Sequence, residues 1–271
     1  MNGTAIHDDS TMLLGDIPFQ TTSKPIVAVD TSFYSLSTEE AAFFKAQTGI
    51  DDDEDLKKHI LEVQAKAYEV APYPCIHNFI FLRLNLSRIS VYEHILELGR
   101  ERPDALLLDI GCCFGIDARK AAADGFPAKN IIASDILNEF LQLSHELFKT
   151  TPASYPGCFL PGDVFDPAFL STAAPSDGKQ LHLAKALAGL LSAQPGSVIC
   201  GYQVGTLEKG MEDTSITGSK HQLFVHSPKT WTSLWDGEVF EKGSVKVETE
   251  LVEVAIREAQ FFTMRWSVVR L

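Results

Sequence analysis

Residues 106–117 read Leu106-Leu107-Leu108-Asp109-Ile110-Gly111-Cys112-Cys113-Phe114-Gly115-Ile116-Asp117, an apolar run that ends in an acid and opens into a glycine turn. A run this short, bounded by Pro103-Asp104 before it and Gly111 after it, predicts a strand buried on both faces of a parallel sheet. The next stretch, Ala118-Arg119-Lys120-Ala121-Ala122-Ala123, is strongly helix-forming. Strand, glycine turn and helix start in that order leave backbone N–H groups and the positive end of the helix dipole free to meet an anionic or polar cofactor group. The turn lacks the Gly-x-Gly-x-x-Gly of dinucleotide enzymes, which disfavours a pyrophosphate ligand and a nicotinamide oxidoreductase.

Asp109-x-Gly111-x-x-x-Gly115 resembles the turn of class I S-adenosylmethionine-dependent methyltransferases. Working outward, Ile131-Ile132-Ala133-Ser134 predicts a second buried strand, closed by Asp135. Asp135 occupies the slot of the ribose-binding acid in dinucleotide folds. It is equally placed to cap a following helix over 137–148. Gly157–Pro161 predicts a weaker third strand, followed by Gly162-Asp163-Val164-Phe165. Asp163 there can accept from an adenine amine while Val164 or Phe165 packs on the ring, or it can cap a short helix over 167–170. Three acids closing three successive strands form one pattern.

At 271 residues, with 45% hydrophobic and 22% charged side chains, the composition is that of a globular chain able to bury a large core. A formal net charge of -13 argues against nucleic acid and anionic membrane, which recruit lysine and arginine. No run of about 18 apolar residues occurs, and the N-terminus lacks the basic-then-apolar layout of a signal peptide, so a cytoplasmic location is expected. The five cysteines (75, 112, 113, 158, 200) contain no C-x-x-C pair, so neither a disulfide framework nor a metal site is expected. Cys112 and Cys113 read as small apolar residues lining a tight turn.

Residues 1–33 mix polar residues, glycine and proline and read as an irregular arm. Ser37-Thr38-Glu39-Glu40 is a capping box, and Asp51–Asp55 places negative charge at the start of the next helix. That helix carries the stripe Leu56, Ile60, Leu61, Val63, Ala67 and Val70 and ends before Pro72 and Pro74. One or two further helices are predicted between Ile76 and Leu98. Residues 34–103 thus read as a helical cap, and 104–271 as a Rossmann-like core.

A class I sheet needs a fourth strand between the first and the fifth, and none is legible. Residues 171–178 are turn-like, and Lys179–Ser192 is helical in composition. Either Gln180-Leu181-His182-Leu183 enters the sheet against its propensity, or the strand is missing or shortened. Ser197–Tyr202 resumes strand character and fits the fifth strand. Gln222–Val225 is a short apolar segment, Ser227-Pro228 opens a helix, and Trp231 and Trp235 share one helix face. Val245–Leu251 and Phe261–Leu271 predict a closing hairpin.

The chain resembles the small fungal methyltransferases of meroterpenoid biosynthesis, of the austinol and terretonin type, which methylate the carboxyl of a farnesylated dimethylorsellinate. The resemblance is carried by Thr48-Gly49-Ile50, Val63–Val70, Tyr73-Pro74-Cys75-Ile76, Leu108–Gly115 with its double cysteine, Gly162–Asp166, Gln203-Val204-Gly205, His226-Ser227-Pro228 with Trp235, and Val268–Leu271. It implies a class I fold with S-adenosyl-L-methionine as cofactor, bound by Asp109, Gly111, Cys113, Gly115, Asp135, Ile136, Asp163 and Val164. It implies a small-molecule carboxylic acid as substrate, with a homodimer as the assembly to test. No proton-transfer residue is required, because a carboxylate is already ionised. Tyr73, His77 and Arg83 are candidates to orient the acid, and Phe79, Phe81 and Trp231 candidates for an apolar wall. The chain departs from the family at the fourth strand and at Tyr202, where arginine is expected. Alternatives are a phenol O-methyltransferase and a catalytically impaired relative.

Overall fold

The computed structural model describes residues 30–164, 166, 169, 179–214, 221–256 and 259–271. Nearly all of the predicted arm lies outside these residues, as do most of the predicted helix over 167–170 and the turn over 171–178. The cap begins where local chemistry requires it. Ser37 Oγ accepts from the Glu40 N–H at 3.2 Å and Glu40 Oε2 accepts from the Ser37 N–H at 2.8 Å, closing the capping box of α1 (Thr38–Thr48). Gly49 then stops the helix at φ +69°, a conformation cheap for glycine. Helix α2 (Asp53–Val70) is capped by Asp52, whose carboxylate accepts from the Glu54 and Asp55 N–H groups at 2.9 and 3.0 Å. Its stripe of Leu56, Ile60, Val63 and Ala67 is buried.

Of the one or two helices predicted between Ile76 and Leu98, the structure has the end of the short α3 (Pro74–His77) and the start of α4 (Tyr92–Glu101), with no regular helix in between. Phe79 turns left-handed at φ +55°, and two 3-10 turns, Ile80–Leu82 and Leu86–Arg88, lead into α4. The reason is density of apolar side chains: Phe79, Phe81, Leu82 and Leu84 are all buried, whereas a regular helix would turn part of such a run to solvent.

The core opens with β1 (Leu107–Ile110), α5 (Ile116–Ala123), β2 (Ile131–Asp135), α6 (Asn138–Leu147) and β3 (Cys158–Pro161). The three strands form a parallel sheet in the order β1-β2-β3, with Asp109 opposite Ala133 and Asp135 opposite Pro161. This is the Rossmann-like half that the sequence predicts. Phe114, at the tip of the turn after β1, is fully buried in the cap's own apolar cluster, so cap and sheet share one core.

Residues Gln180–Leu183 lie in α7 (Lys179–Leu190), so helix propensity prevails there. The chain continues through β4 (Val198–Gly205), β5 (Gly210–Thr214), β6 (His221–Val225), α8 (Pro228–Trp235), β7 (Val245–Ile256) and β8 (Ala259–Arg270). Strands β4, β8 and β7 form an antiparallel sheet in that order, and β5 pairs with β6 in a hairpin. Trp231 and Trp235 are buried together against Trp266 of β8. Among the described residues β1 pairs only with β2, and β4 only with β8. No described strand stands between them. Helix α4 ties the two sheets together: His94 Nε2 lies 2.8 Å from the Gly196 carbonyl oxygen, and Arg102 donates to the Pro195 carbonyl at 2.7 Å. Leu107, Val198 and Cys200 pack on the same apolar cluster beneath it. None of the described helices is long and apolar enough to cross a membrane.

Glu40 does more than close its capping box. With no exposed side-chain surface, it accepts from Arg83 and Arg88 at 2.7 Å each. Burial alone would raise its pKa; the Ser37 N–H and the two guanidinium groups overcome that and hold it below the ordinary value of 4.5. Glu40→Ala is expected to destabilise the chain by about 2–3 kcal/mol in urea unfolding, less than a fully buried pair would lose because both arginines are partly exposed. The stabilisation from the depressed pKa is complete above pH 4.5 and is lost as pH falls toward the folded-state value. Acid titration of stability below that pH should therefore be shallower for Glu40→Gln than for the unmodified chain.

Candidate cofactor site

The turn after β1 is held open by three left-handed residues: Gly111 at φ +69°, Cys113 at φ +54° and Gly115 at φ +66°. Its backbone is anchored to the neighbouring strand. The Cys112 N–H donates to the Ser134 carbonyl at 3.0 Å, and the Cys113 N–H to Asp135 Oδ2 at 2.8 Å. Gly115 leads into α5 without a side chain to cap it. Asp109 lies at the end of β1, and the Ala118 N–H in the first turn of α5 works against the rise in its pKa. A Cβ at Gly115 would approach the Phe159 ring to 3.0 Å, whereas one at Gly111 would meet nothing within 4 Å. The turn therefore packs tightly on one side and faces open space on the other, a cradle that a side chain would fill.

Asp135 serves two elements at once. Oδ2 accepts from Cys113, as above, and Oδ1 accepts from the Leu137 N–H at 3.0 Å where the chain turns into α6. Burial raises its pKa, and the N–H groups of Leu137, Cys113 and Ile136 work against that rise. The Gly162 N–H donates to the Asp135 carbonyl at 3.0 Å, which sets Asp163 and Val164 immediately beyond the end of β3 and beside Asp135. Ile136 is 58% exposed. Asp109 has a carboxyl pushed up to about 7, first by burial and then by the neighbouring Asp117. Asp117 itself is pushed up to about 6 by burial, moderated by the Leu86 and Asn85 N–H groups.

The structure brings together Asp109, Gly111, Cys113, Gly115, Asp135, Ile136, Asp163 and Val164 at the carboxyl ends of β1, β2 and β3. The three positioning candidates fare differently. Tyr73 packs edge-on against Phe140 at 6.0 Å between ring centres, near enough to Asp135, Cys75 and Cys113 that burial and their charges raise its pKa. His77 Nδ1 lies 2.9 Å from Asn78 Oδ1, with its ring against Phe33 and Tyr68. Arg83 is engaged by Glu40 and by Ser35. Phe79 and Phe81 are buried in the cap core, and Trp231 in the cluster around β8. Among the described residues no group of three His, Cys, Asp or Glu is placed to hold a metal ion.

Two contributors escaped sequence reasoning. Asp117 accepts from the Leu86 N–H at 3.0 Å and so clips the cap to the start of α5; in sequence it is one acid in a helix's first turn. Cys75, on α3, packs against the same apolar cluster as Cys113, a proximity that no local pattern signals.

A family model described as the meroterpenoid methyltransferase N-terminal domain matches residues 31–82. The methyltransferases prhM and ausD of Penicillium brasilianum are each 31% identical over 209 residues, covering 71% of this chain and 73% of theirs. The O-methyltransferase atr3 of Stereocaulon alpinum is 28% identical over 232 residues, 79% of this chain, and the chain spans 65% of that protein's length. Among solved structures, the glycopeptide N-methyltransferase MtfA aligns with 68% of this chain and 98% of its own at 10% identity and a TM-score of 0.41, too slight a likeness to carry an argument. With an N-terminal segment of the meroterpenoid type and 31% identity to prhM and ausD across most of both lengths, the chain belongs to this family of fungal methyltransferases.

Proposed function

We propose that the chain is an S-adenosyl-L-methionine-dependent O-methyltransferase acting on the carboxylate of a prenylated aromatic polyketide intermediate. The observation that carries this reading is the open cradle at Gly111 beside an Asp135 fixed by two backbone donors. Asp135 is held in one orientation by its backbone donors, as an acceptor for a ribose hydroxyl must be. Ile136 offers exposed apolar surface for an adenine face, and Asp163, next to it in space, an acceptor for the exocyclic amine. Gly111 and Gly115 let the backbone approach.

When bound, the cofactor supplies an electrophilic methyl group on a sulfonium. A carboxylate is ionised at neutral pH, so the chain's own residues have only to place it in line and exclude water. Tyr73 is the best situated of the orienting candidates, since it borders the turn. Arg83 is occupied by Glu40, and His77 by Asn78. A phenol substrate would need a base close to the reacting oxygen. The second reading, a relative that binds poorly or does not turn over, is favoured by one observation: β1 lacks a described partner on the side facing β4.

Calorimetric titration with S-adenosylmethionine and S-adenosylhomocysteine is expected to give micromolar binding. Asp135→Asn should weaken it at least tenfold with far-ultraviolet circular dichroism unchanged, and Gly111→Val should abolish it by filling the cradle. Absence of binding by a folded sample would overturn the proposal in favour of the second reading. In turnover assays the product should be a methyl ester that mild alkali hydrolyses; an alkali-stable methyl ether would establish the phenol instead. Tyr73→Phe should raise KM for the acid while leaving cofactor affinity unchanged.

A further inference from the structure

Arg119 lies one helical turn beyond Gly115, and its N–H donates to the Gly115 carbonyl at 3.0 Å in the opening turn of α5. Its side chain is buried, with 3% of the residue exposed. The polar partners of the guanidinium are hydroxyls: Thr150 Oγ1 accepts from Nη2 at 3.0 Å, and Ser144 Oγ accepts from Nε and Nη2 at 3.4 Å. The rest of its surroundings is aromatic. The guanidinium carbon stands 4.3 Å from the centre of the Phe148 ring, 4.1 Å from Tyr155 and 5.7 Å from Phe159. Burial lowers its pKa to about 10, so it is charged at neutral pH and is held by the negative faces of those rings. A buried cation is a costly way to fill space; here it orders a chain of rings that ends on the cofactor turn. Tyr155 stacks on Phe159 with 5.0 Å between ring centres, and His145 meets Phe159 edge-on at 5.1 Å. The buried Tyr155 hydroxyl has no hydrogen-bond partner among the described residues, so stacking and not its hydroxyl places that ring. Phe159 in turn lies directly on Gly115: a Cβ there would come within 3.0 Å of the ring. Gly115, at φ +66°, is the last left-handed residue before α5. Arg119 thus reaches Gly115 twice, through the backbone of α5 and through the ring carried by β3.

We propose that Arg119 is the positioning residue of the cofactor turn: its guanidinium clamps Tyr155 and Phe159, and Phe159 holds the turn at Gly115 in the shape that receives the cofactor. The effect on binding rests on the proposed cofactor site; the clamp on the turn does not. The role requires arginine and not merely a positive charge. A planar guanidinium stacks on ring faces and presents a rigid fork of donors to Thr150 and Ser144, whereas a lysine ammonium is a point charge with no plane to stack. The two ends of the turn are then fixed by different means. Asp135 holds its middle by accepting from the Cys113 N–H, and the ring chain from Arg119 backs its exit into α5.

Hydrogen exchange of the full chain without cofactor, read by peptide mass spectrometry, tests the clamp. Arg119→Lys is expected to speed exchange of the peptide over residues 109–117 at least tenfold and to leave the β7–β8 hairpin unchanged. Phe159→Leu, which breaks the last link while Arg119 keeps Phe148 and Tyr155, should do the same, and the double variant should exchange no faster than either single one. Should Arg119→Lys not fold, Tyr155→Leu, which removes the ring between Arg119 and Phe159, takes its place with the same expected result. Unchanged exchange in the turn, equal acceleration throughout the chain, or additive effects in the double variant would overturn the clamp. S-adenosylhomocysteine titration then tests the consequence: the same variants should bind at least tenfold more weakly than the unmodified chain, with far-ultraviolet circular dichroism unchanged. Equal affinity would overturn the role in binding. The exchange readout needs no cofactor, so an unmodified chain that binds none, with a turn still loosened by Arg119→Lys, counts against the proposed function and not against the clamp.

Discussion

Two backbone N–H groups, from Cys113 and Leu137, converge on the Asp135 carboxylate, and the cofactor end of the molecule is arranged by that convergence. One donor belongs to the turn between β1 and α5, the other to the entry of α6, so a single side chain at the end of the central strand β2 sets two loops in mutual register. The sharp left-handed path through Gly111, Cys113 and Gly115 holds its shape because this acceptor fixes its middle. Desolvation works against the charged carboxylate, and three backbone N–H groups offset it. The same donors that oppose desolvation hold the carboxylate in one orientation.

The cap is attached to this end by polar contacts threaded through an aromatic core. Phe114, carried by the turn, is enclosed by Phe81 and Phe140, and burying one such side chain is worth roughly 1.5–3 kcal/mol. Asp117 adds a hydrogen bond to the Leu86 N–H, and Glu40 gathers Arg83 and Arg88, which flank that same segment of the cap. Arg119 is the counterpart on the far face of α5. It is buried, stacked over Phe148 and Tyr155 at 4.3 and 4.1 Å and hydrogen-bonded to Thr150 at 3.0 Å. Ring faces there replace an acid as the partner of a desolvated cation.

Where the two sheets meet, the molecule departs from a continuous class I sheet. Strands β1 and β4 lie under one helix, α4, and share its apolar cluster, yet each is hydrogen-bonded along one edge only among the described residues. Helix-to-carbonyl contacts from His94 and Arg102 take over part of the work that a strand ladder would do. The β7–β8 hairpin, with its register running from Val245 opposite Arg270 to Ile256 opposite Ala259, stands on its own packing around Trp235 and Trp266.

By itself the sequence determined what depends on residues a few positions apart. The Ser37–Glu40 capping box, the Asp52 cap, the parallel strands β1, β2 and β3 with an acid at or beyond each end, the glycine turn and the β7–β8 hairpin are all legible because their hydrogen bonds and periodicities are local. Helix over Gln180–Leu183 followed from propensity once no strand pattern opposed it. Tertiary structure alone decided the rest. The run from Phe79 to Leu84 is not a regular helix because Phe79, Phe81, Leu82 and Leu84 are all buried, a condition set by neighbours far along the chain. Arg83, free in sequence to orient an acid, is claimed by Glu40, 43 residues away. Asp135, read as either a cap or a ribose ligand, staples two loops together. Cys75 of α3 and Cys113 of the turn border one apolar cluster, and a cluster shared by residues so far apart in sequence leaves no trace in spacing or composition.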